Sequence, residues 1–317
     1  MKILVQKIIE KEKIDLLGPP VKLAHGEENE NYLVLTPDEK LVLRILNKKR
    51  TCFLENPDAI EVNVLFESDV IKKLSALGFA VPQIKKTGRF NDKFYQFQSF
   101  LEGTHVTPDA LNKEQAQEIG RILAEIHSKT KIGKPILEKA RGDLFSFAFE
   151  DKVEKKYGKK ILMRFGKKFF DRLVAKKEGL KKSIKEKEIK PNCIIHNDFF
   201  YWNIKFEGNK ISGILDFDES CIGNSNSDLA TTLTEFFLYG NKSYPKNYSE
   251  ILSSYSEIIP IENMALLKEL MKHRTLYTIF YALHYFFERK TEETRYLKKI
   301  KLTLSKLDFL EGEKFGE

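Results

Sequence analysis

The sequence predicts an α+β chain with two lobes: a small β-rich N-terminal one over residues 1–97, a linker at 98–103, and a larger, mostly helical C-terminal one over 104–317. Three observations carry this expectation. Strand-like segments broken by polar turns fill most of the first third. Past Gly103 apolar residues recur at helical spacing instead. At 317 residues the chain is long enough for two domains or one large bilobal unit with a substantial core.

Residues 21–45, VKLAHGEENENYLVLTPDEKLVLRI, read as two strands joined at Thr36–Lys40 by a polar turn containing Pro37 and Asp38. Residues 59–77 read as an amphipathic helix that ends before Gly78, with Pro82 just beyond. PQIKKTG and KFYQFQSFL form a further hairpin, after which EQAQEIGRILAEIHSKT is a well-formed helix. Between Lys155 and Lys190 lies a lysine-rich helical stretch, in which Ile161, Leu162, Phe165, Phe169 and Leu173 share one face and the lysines largely the other. A short β region follows around 193–218, and 247–310 is nearly all helical. Tyr277, Phe280, Tyr281 and Tyr285 read as helix core, with substrate stacking as the alternative for one or two of them. There are no internal repeats and no low-complexity linkers.

Composition narrows the function classes. Hydrophobic content of 42% and charge of 32% describe a soluble globular protein. The N-terminus MKILVQKIIEKEK is interrupted by charge too early for a signal peptide, and no apolar run reaches transmembrane length. Cys52, Cys193 and Cys221 are odd in number and far apart, which argues against a disulfide framework or zinc site and fits the cytoplasm. Much of the net charge of +8 sits between Lys155 and Lys190. A solvated helix face accounts for it, and a docking surface for an anionic substrate or a polyanion is the alternative.

The most informative stretch is His196–Asp218, HNDFFYWNIKFEGNKISGILDFD. Asp198 stands two residues after His196 and five before Asn203, and the strand-like ISGIL delivers Asp216. ATP-dependent phosphoryl transfer needs these residue types: an aspartate to orient the attacking hydroxyl and take its proton, and an Asn and an Asp to hold the metal that bridges the phosphates. Asn203 offers a neutral oxygen and Asp216 an anionic one to hard Mg²⁺. In an extended segment Asp218 would share a face with Asp216, either joining the metal shell or pairing with a nearby cation. His196 reads as a buried histidine hydrogen-bonded to the loop backbone, since the reaction already has its base.

HNDFFYWN, LDFD and GNSNSDLA (Gly223 to Ala230), in that order, resemble the aminoglycoside phosphotransferase, choline kinase and type II homoserine kinase superfamily, whose fold is that of protein kinases. HGEENENYLV is similar to that family's phosphate loop, LVLRIL to its third strand, and GRILAEIHS to its helix after the linker. The spacing of Glu67 from Leu74, Gly78 and Pro82 matches its helix-C pattern. The resemblance implies that Arg44 contacts the nucleotide phosphates and is held by Glu67. By the same resemblance Asp198 is the catalytic base, Asn203 and Asp216 are magnesium ligands, and Asp228 braces the catalytic loop. Gly26 and the amides around Glu27–Asn29 would cover the phosphates, and Gln98 and Phe100 at the linker would complete the nucleotide side. The implied cofactors are ATP, with GTP not excluded, and Mg.

The implied acceptor is a small hydroxylated amine, amino acid or aminoglycoside, with neither a membrane nor a nucleic acid as partner. The GEENENYLV loop, the FLEG after the linker and the DFFYWN run resemble the homoserine kinase branch somewhat more than the antibiotic-resistance branch. Asp218 and TTLTEFFLYG depart from that branch, which usually continues DFY and carries a Trp-containing helix. No G-x-G-x-x-G is present, and Asn197 stands where Gly or Ala is frequent. Two other classes compete with a small-molecule kinase. One is a protein kinase or RNA-binding relative, for which no APE-like segment follows DFD. The other is a catalytically inactive nucleotide-binding protein.

Overall fold

The strand-forming residues of the first hundred assemble, in a computed structural model of the chain, into one five-stranded antiparallel sheet. The structure describes residues 2–23, 29–46, 58–91, 93–131, 147–184 and 189–312. In chain order it begins with α1 (Lys2–Glu12), β1 (Val21–Lys22), β2 (Glu30–Leu35), β3 (Lys40–Ile45), α2 (Asp58–Ala76), β4 (Ile84–Phe90) and β5 (Lys93–Ser99). Then come α3 (Lys113–Lys129), α4 (Ala148–Phe165), α5 (Lys167–Ser183), β6 (Cys193–Ile195), β7 (Ile204–Glu207), β8 (Lys210–Ile214) and β9 (Cys221–Gly223). The chain continues with α6 (Ser225–Phe237), the short pair β10 (Leu238–Tyr239) and β11 (Lys242–Ser243), α7 (Pro245–Ser256), α8 (Met264–Glu288) and α9 (Glu293–Glu311).

By internal contacts the chain divides into two units, Met1–Thr104 with Ile204–Asp218, and His105–Asn203 with Glu219–Glu317. In the first, the sheet order is β1-β2-β3-β5-β4, so β3 is central. The expected polar turn closes β2–β3: Thr36 N–H donates to the Glu39 carbonyl, and Glu39 N–H to Thr36 Oγ1. α1, which the sequence reading did not anticipate, sets Val5, Ile8 and Ile9 into one core with Val34, Leu43 and Phe97. Its charged residues mask an i, i+3, i+4 apolar stripe. α2 ends in a glycine-capped turn at Gly78 (φ 85°), where Phe79 N–H reaches the Leu74 carbonyl and Gly78 N–H the Ser75 carbonyl.

The hairpin β7–β8 lies a hundred residues further along the chain, yet it belongs to this unit. Thr104 and Phe206 exchange main-chain hydrogen bonds at 3.0 and 2.8 Å, and Ile214 N–H donates to the Ala80 carbonyl at 2.7 Å. Lys205 Nζ donates to the Leu101 carbonyl and Ser212 Oγ to that of Glu102. A boundary drawn once, at 98–103, does not follow this division. The main-chain groups after β5 find their partners in the later hairpin, a pairing that no local sequence signal announces.

The second unit is built on helices. α3 starts at a capping box, with Gln115 N–H donating to Asn112 Oδ1 and the Asn112 amide to Gln115 Oε1. Gly120 lies where α3 meets α7, so close that a Cβ there would strike the Ile251 carbonyl. α8 is apolar on nearly all sides and packs against α4, α5, α6 and α9, burying Leu267, Leu270, Met271, Ile279 and Phe280. Phe280 and Tyr285 are core, whereas Tyr277 and Tyr281 are half-buried.

The lysine-rich stretch differs from the single amphipathic face expected of it. Gly166 (φ 87°) breaks it into α4 and α5; Ile161 and Leu173 are buried, while Leu162, one residue after Ile161 on α4, is exposed. Lys177 is itself buried, with its ammonium between Asp151 and Glu154. No helix among the described residues is long and apolar enough to cross a membrane.

Candidate active site

In the first unit the central strand β3 carries Arg44, opposite Asn31 of β2 and Gln96 of β5. Its guanidinium is buried and takes three carboxylates. Nη1 donates to Glu67 of α2, and Nη2 donates to Asp216 Oδ1 at 2.7 Å and to Asp218. Burial alone would lower the pKa of Arg44, but Glu67 and Asp216 outweigh it and hold the pKa above its ordinary value. The planar fork permits this, since separate edges of one guanidinium address separate carboxylates.

Asp216 ends the β8 hairpin in the left-handed region (φ 58°), and Phe217–Glu219 then close a 3-10 turn. The segment is therefore not extended, and Asp218 does not reach its partner by sharing a pleat face with Asp216. The turn folds both carboxylates onto Arg44. Asp218 also accepts Asn29 Nδ2 at 2.9 Å, and Asn29 Oδ1 is buried without a hydrogen-bond partner among the described residues. Gly26, Glu27 and Glu28, the remainder of the expected phosphate cover, lie outside the described residues. Gln98 is buried with its amide on Gln96, and the Phe100 ring stands under Lys205 Nζ at 4.5 Å.

In the second unit β6 delivers the loop 196–203. Asp198 carries a side chain 27% exposed, and two devices shape the backbone around it. Asp228, fully buried on α6, accepts the main-chain N–H of His196 at 2.8 Å and of Asn197 at 2.7 Å. Asn197 is left-handed (φ 63°), a conformation that Gly and Asn adopt more readily than other residues, which rationalises its place where a small residue is frequent. His196 is buried and its Nδ1 accepts the Asp198 N–H at 3.3 Å. The chain then coils tightly through Tyr201–Asn203, so that Asn203 Nδ2 donates to the Asp198 carbonyl (2.9 Å) and to Asp198 Oδ2 (3.1 Å).

Two participants were not singled out from sequence. His127 of α3, inside the GRILAEIHS segment, donates from Nε2 to Asp228 Oδ2 at 3.0 Å. Its Nδ1 faces Tyr255 Oη at 2.8 Å, and burial holds that phenol well above its ordinary pKa, so the hydroxyl keeps its proton. Burial would raise the pKa of Asp228, but the hydrogen bond from His127 and the neighbouring imidazoles keep it below the ordinary carboxylate value. The second is Arg274 of α8, whose Nη2 donates to Asp198 Oδ1 at 3.3 Å.

No cluster of three or more His, Cys, Asp or Glu side chains suited to a metal occurs among the described residues. Taken singly, Asn203 and Asp216 each have donor chemistry that suits a hard cation. With its nitrogen on Asp198, Asn203 has its amide oxygen left for a metal. Asp216 has one oxygen on Arg44, and its side chain is 47% exposed.

A model of the phosphotransferase enzyme family matches residues 21–250. The chain belongs to that family. It is 24% identical over 252 residues to a homoserine kinase of Methylobacterium radiotolerans, covering 76% of this chain and 71% of that one. It is 25% identical over 245 residues to a homoserine kinase of Pseudomonas aeruginosa, covering 75% and 71%. Among solved structures it resembles amicoumacin kinase hAmiN in complex with AMP-PNP, Ca²⁺ and Ami (TM-score 0.72, 16% identity, 96% of this chain and 93% of that one). It also resembles a microcompartment-associated aminopropanol kinase (TM-score 0.70, 16% identity, 98% and 96%) and the choline kinase of Cryptosporidium parvum (TM-score 0.62, 14% identity, 98% and 100%). The fold is thus the protein-kinase-like α+β fold expected, and the chain is a phosphotransferase. Arg44, Glu67, Asp198, Asn203, Asp216, Asp218 and Asp228 all fall within the matched span; Arg274 does not.

Proposed function

We propose that the chain is a small-molecule O-kinase that moves the γ-phosphate of ATP to a hydroxyl of a small amino acid or amine, with homoserine the favoured acceptor. Asp198 orients the acceptor hydroxyl and takes its proton, the acceptor oxygen bonds to the γ-phosphorus, and the bond from that phosphorus to the β-phosphate oxygen breaks to leave ADP. Arg44, aimed by Glu67, addresses the phosphates. Mg²⁺ held by the Asn203 oxygen and the Asp216 carboxylate would neutralise charge on those phosphates. Asp228 with His127 keeps the loop in the shape that presents Asp198, and Asn29 closes over the phosphate side.

The observation that carries this reading is the loop 196–203. A partly exposed carboxylate stands on a backbone fixed by a buried one, and the five-residue spacing to Asn203 is closed by hydrogen bonds. The homoserine preference leans on the names of the sequence relatives. The test is Mg²⁺-dependent ADP release across homoserine, choline, ethanolamine, methylthioribose and several aminoglycosides. Asp198→Asn should lower kcat by about 10²–10⁴-fold with the best acceptor. Undiminished turnover in that variant would remove Asp198 from the role, and no ADP release with any alcohol would remove the kinase reading.

A further inference from the structure

We infer that Arg274 selects an acceptor bearing a carboxylate, and that this carboxylate takes the guanidinium over from Asp198 when the acceptor binds. The inference rests on the reading of Asp198 as the group that receives the acceptor proton.

Both oxygens of Asp198 are occupied in this structure: Oδ2 accepts from Asn203 Nδ2 at 3.1 Å and Oδ1 from Arg274 Nη2 at 3.3 Å. Each oxygen keeps a second lone pair for a hydroxyl, and the Arg274 contact draws on the charge that would take the hydroxyl proton. The contact to Arg274 is the long, single-pronged one, whereas a guanidinium facing a carboxylate squarely makes two shorter parallel bonds. The arginine is also short of acceptors. Of its five N–H donors, the one on Nε is buried with no hydrogen-bond partner among the described residues. A buried donor without a partner is unfavourable, so a ligand that brings acceptor atoms gains where solvent does not reach.

The surroundings add a small void and a second orphaned polar atom. Beside the guanidinium is a small cavity of ≈ 20 Å³ lined by Asn197, Ser227, Thr231, Leu270 and Tyr277, and Ser227 Oγ there is buried without a hydrogen-bond partner among the described residues. Tyr277 presents its ring 5.5 Å from the guanidinium carbon, a face that orients a cation but supplies no acceptor in its place. Burial would lower the pKa of Arg274, but Asp198 and Glu235 outweigh it and keep the arginine charged. A second cation, Lys299 of α9, lies over Tyr281 at 5.0 Å and interacts electrostatically with Asp198 and Arg274. Burial pulls the Lys299 pKa down and the buried Glu235 offsets part of the positive charge, so Arg274 is the cation that suits an anionic group.

The exchange leaves the chemistry balanced. The acceptor carboxylate forms the bidentate pair with Arg274, Asp198 Oδ1 is released, the hydroxyl proton passes to Asp198, and phosphate transfers from ATP as described. Arg274 changes partner and nothing else.

Matched acceptors that differ only in the carboxylate test this directly: L-homoserine against 3-amino-1-propanol, L-serine against ethanolamine, and L-threonine against 1-amino-2-propanol. For at least one pair the wild type should favour the carboxylated member by at least about 10²-fold in kcat/KM, since a site built to hydrogen-bond a group rejects the analogue lacking it by up to about 10⁴–10⁵-fold. Arg274→Met should shrink that ratio below about tenfold, chiefly by raising KM for the carboxylated member. Arg274→Lys, which keeps the charge and loses the fork, should fall between. A merely structural arginine would lower both members alike and leave the ratio unchanged, and that result overturns the inference. So does a wild type indifferent to the carboxylate in every pair, a comparison that needs no variant to fold. Turnover of choline or an aminoglycoside in preference to every pair overturns it while leaving the kinase reading intact. No ADP release with any alcohol removes both.

Discussion

The Asp228 carboxylate accepts the main-chain N–H of Asn197 at 2.7 Å, and its other oxygen takes the N–H of His196, so a fully buried charge on α6 grips two consecutive amides of the loop that ends in Asp198. His127 completes the grip from α3. The loop is positioned through its backbone rather than through the side chain that would do chemistry.

Asp228→Ala should therefore lower kcat by about 10²-fold, because a displacement of about 1 Å in the attacking geometry has that effect. It should also destabilise the fold by about 2–4 kcal/mol, since two buried amides and an imidazole lose their acceptor. Steady-state kinetics and urea denaturation check the two effects separately. Wild-type kcat in a variant that folds would show that the loop holds its shape without Asp228.

The same residue fixes a pH dependence. The Asp228 pKa is lower in the folded chain than in the unfolded one, so its contribution to stability is full above the unfolded value of about 4 and is lost as pH falls through the folded value. The urea midpoint of the wild type should drop from about pH 4 downward, more steeply than that of Asp228→Asn. Parallel acid profiles for the two would contradict this.

Arg44 and Glu67 form a buried pair, and removing one member strands the other. Arg44→Met should destabilise by about 3–5 kcal/mol, and the double variant Arg44→Met/Glu67→Gln should recover part of that stability, Asp218 still lacking its arginine. Nucleotide affinity should not recover with it if Arg44 addresses the phosphates as proposed. Thermal denaturation with and without ATP separates the two; equal ATP-induced shifts in wild type and double variant would remove Arg44 from the phosphate site.

Asp216 and Asp218 both reach Arg44, yet Asp216 has its side chain 47% exposed and Asp218 only 10%. Asp216→Asn should raise the Mg²⁺ concentration needed for half-maximal turnover by about tenfold or more. Asp218→Asn should leave that requirement near wild type and change nucleotide affinity instead, by loosening Asn29 and Arg44. Titrations of Mg²⁺ at saturating ATP, and of ATP at saturating Mg²⁺, distinguish these outcomes.

The pairing of Asp198 with Asn203 was legible because it is local. Asp198 and Asn203 are five residues apart, and the turn through Tyr201–Asn203 brings them together without help from elsewhere. Asp218 shows where local reasoning stops. Its distance from Asp216 could be counted, but the left-handed Asp216 and the following 3-10 turn replace the extended geometry that the count assumed. Arg274 and His127 were out of reach altogether, being 76 and 101 residues from the aspartates they touch. Nothing in LMKHRTLY marks its arginine as different from any charged residue on a helix, and only the packing of α8 shows it. α1 escaped for the opposite reason: its apolar stripe is present, but lysines and glutamates dilute it.

The hairpin Ile204–Ile214 gives the order of synthesis a meaning. The sheet-bearing unit cannot satisfy the main-chain groups of Ala80 and Thr104, or settle Asp216 and Asp218 on Arg44, until more than a hundred further residues have left the ribosome. By then α3, α4 and α5 have already emerged. Maturation of the five-stranded sheet thus waits on the helical segment interposed in its own sequence, and a nascent chain halted before residue 204 carries that sheet's five strands, Arg44 and only one of the three carboxylates that Arg44 takes.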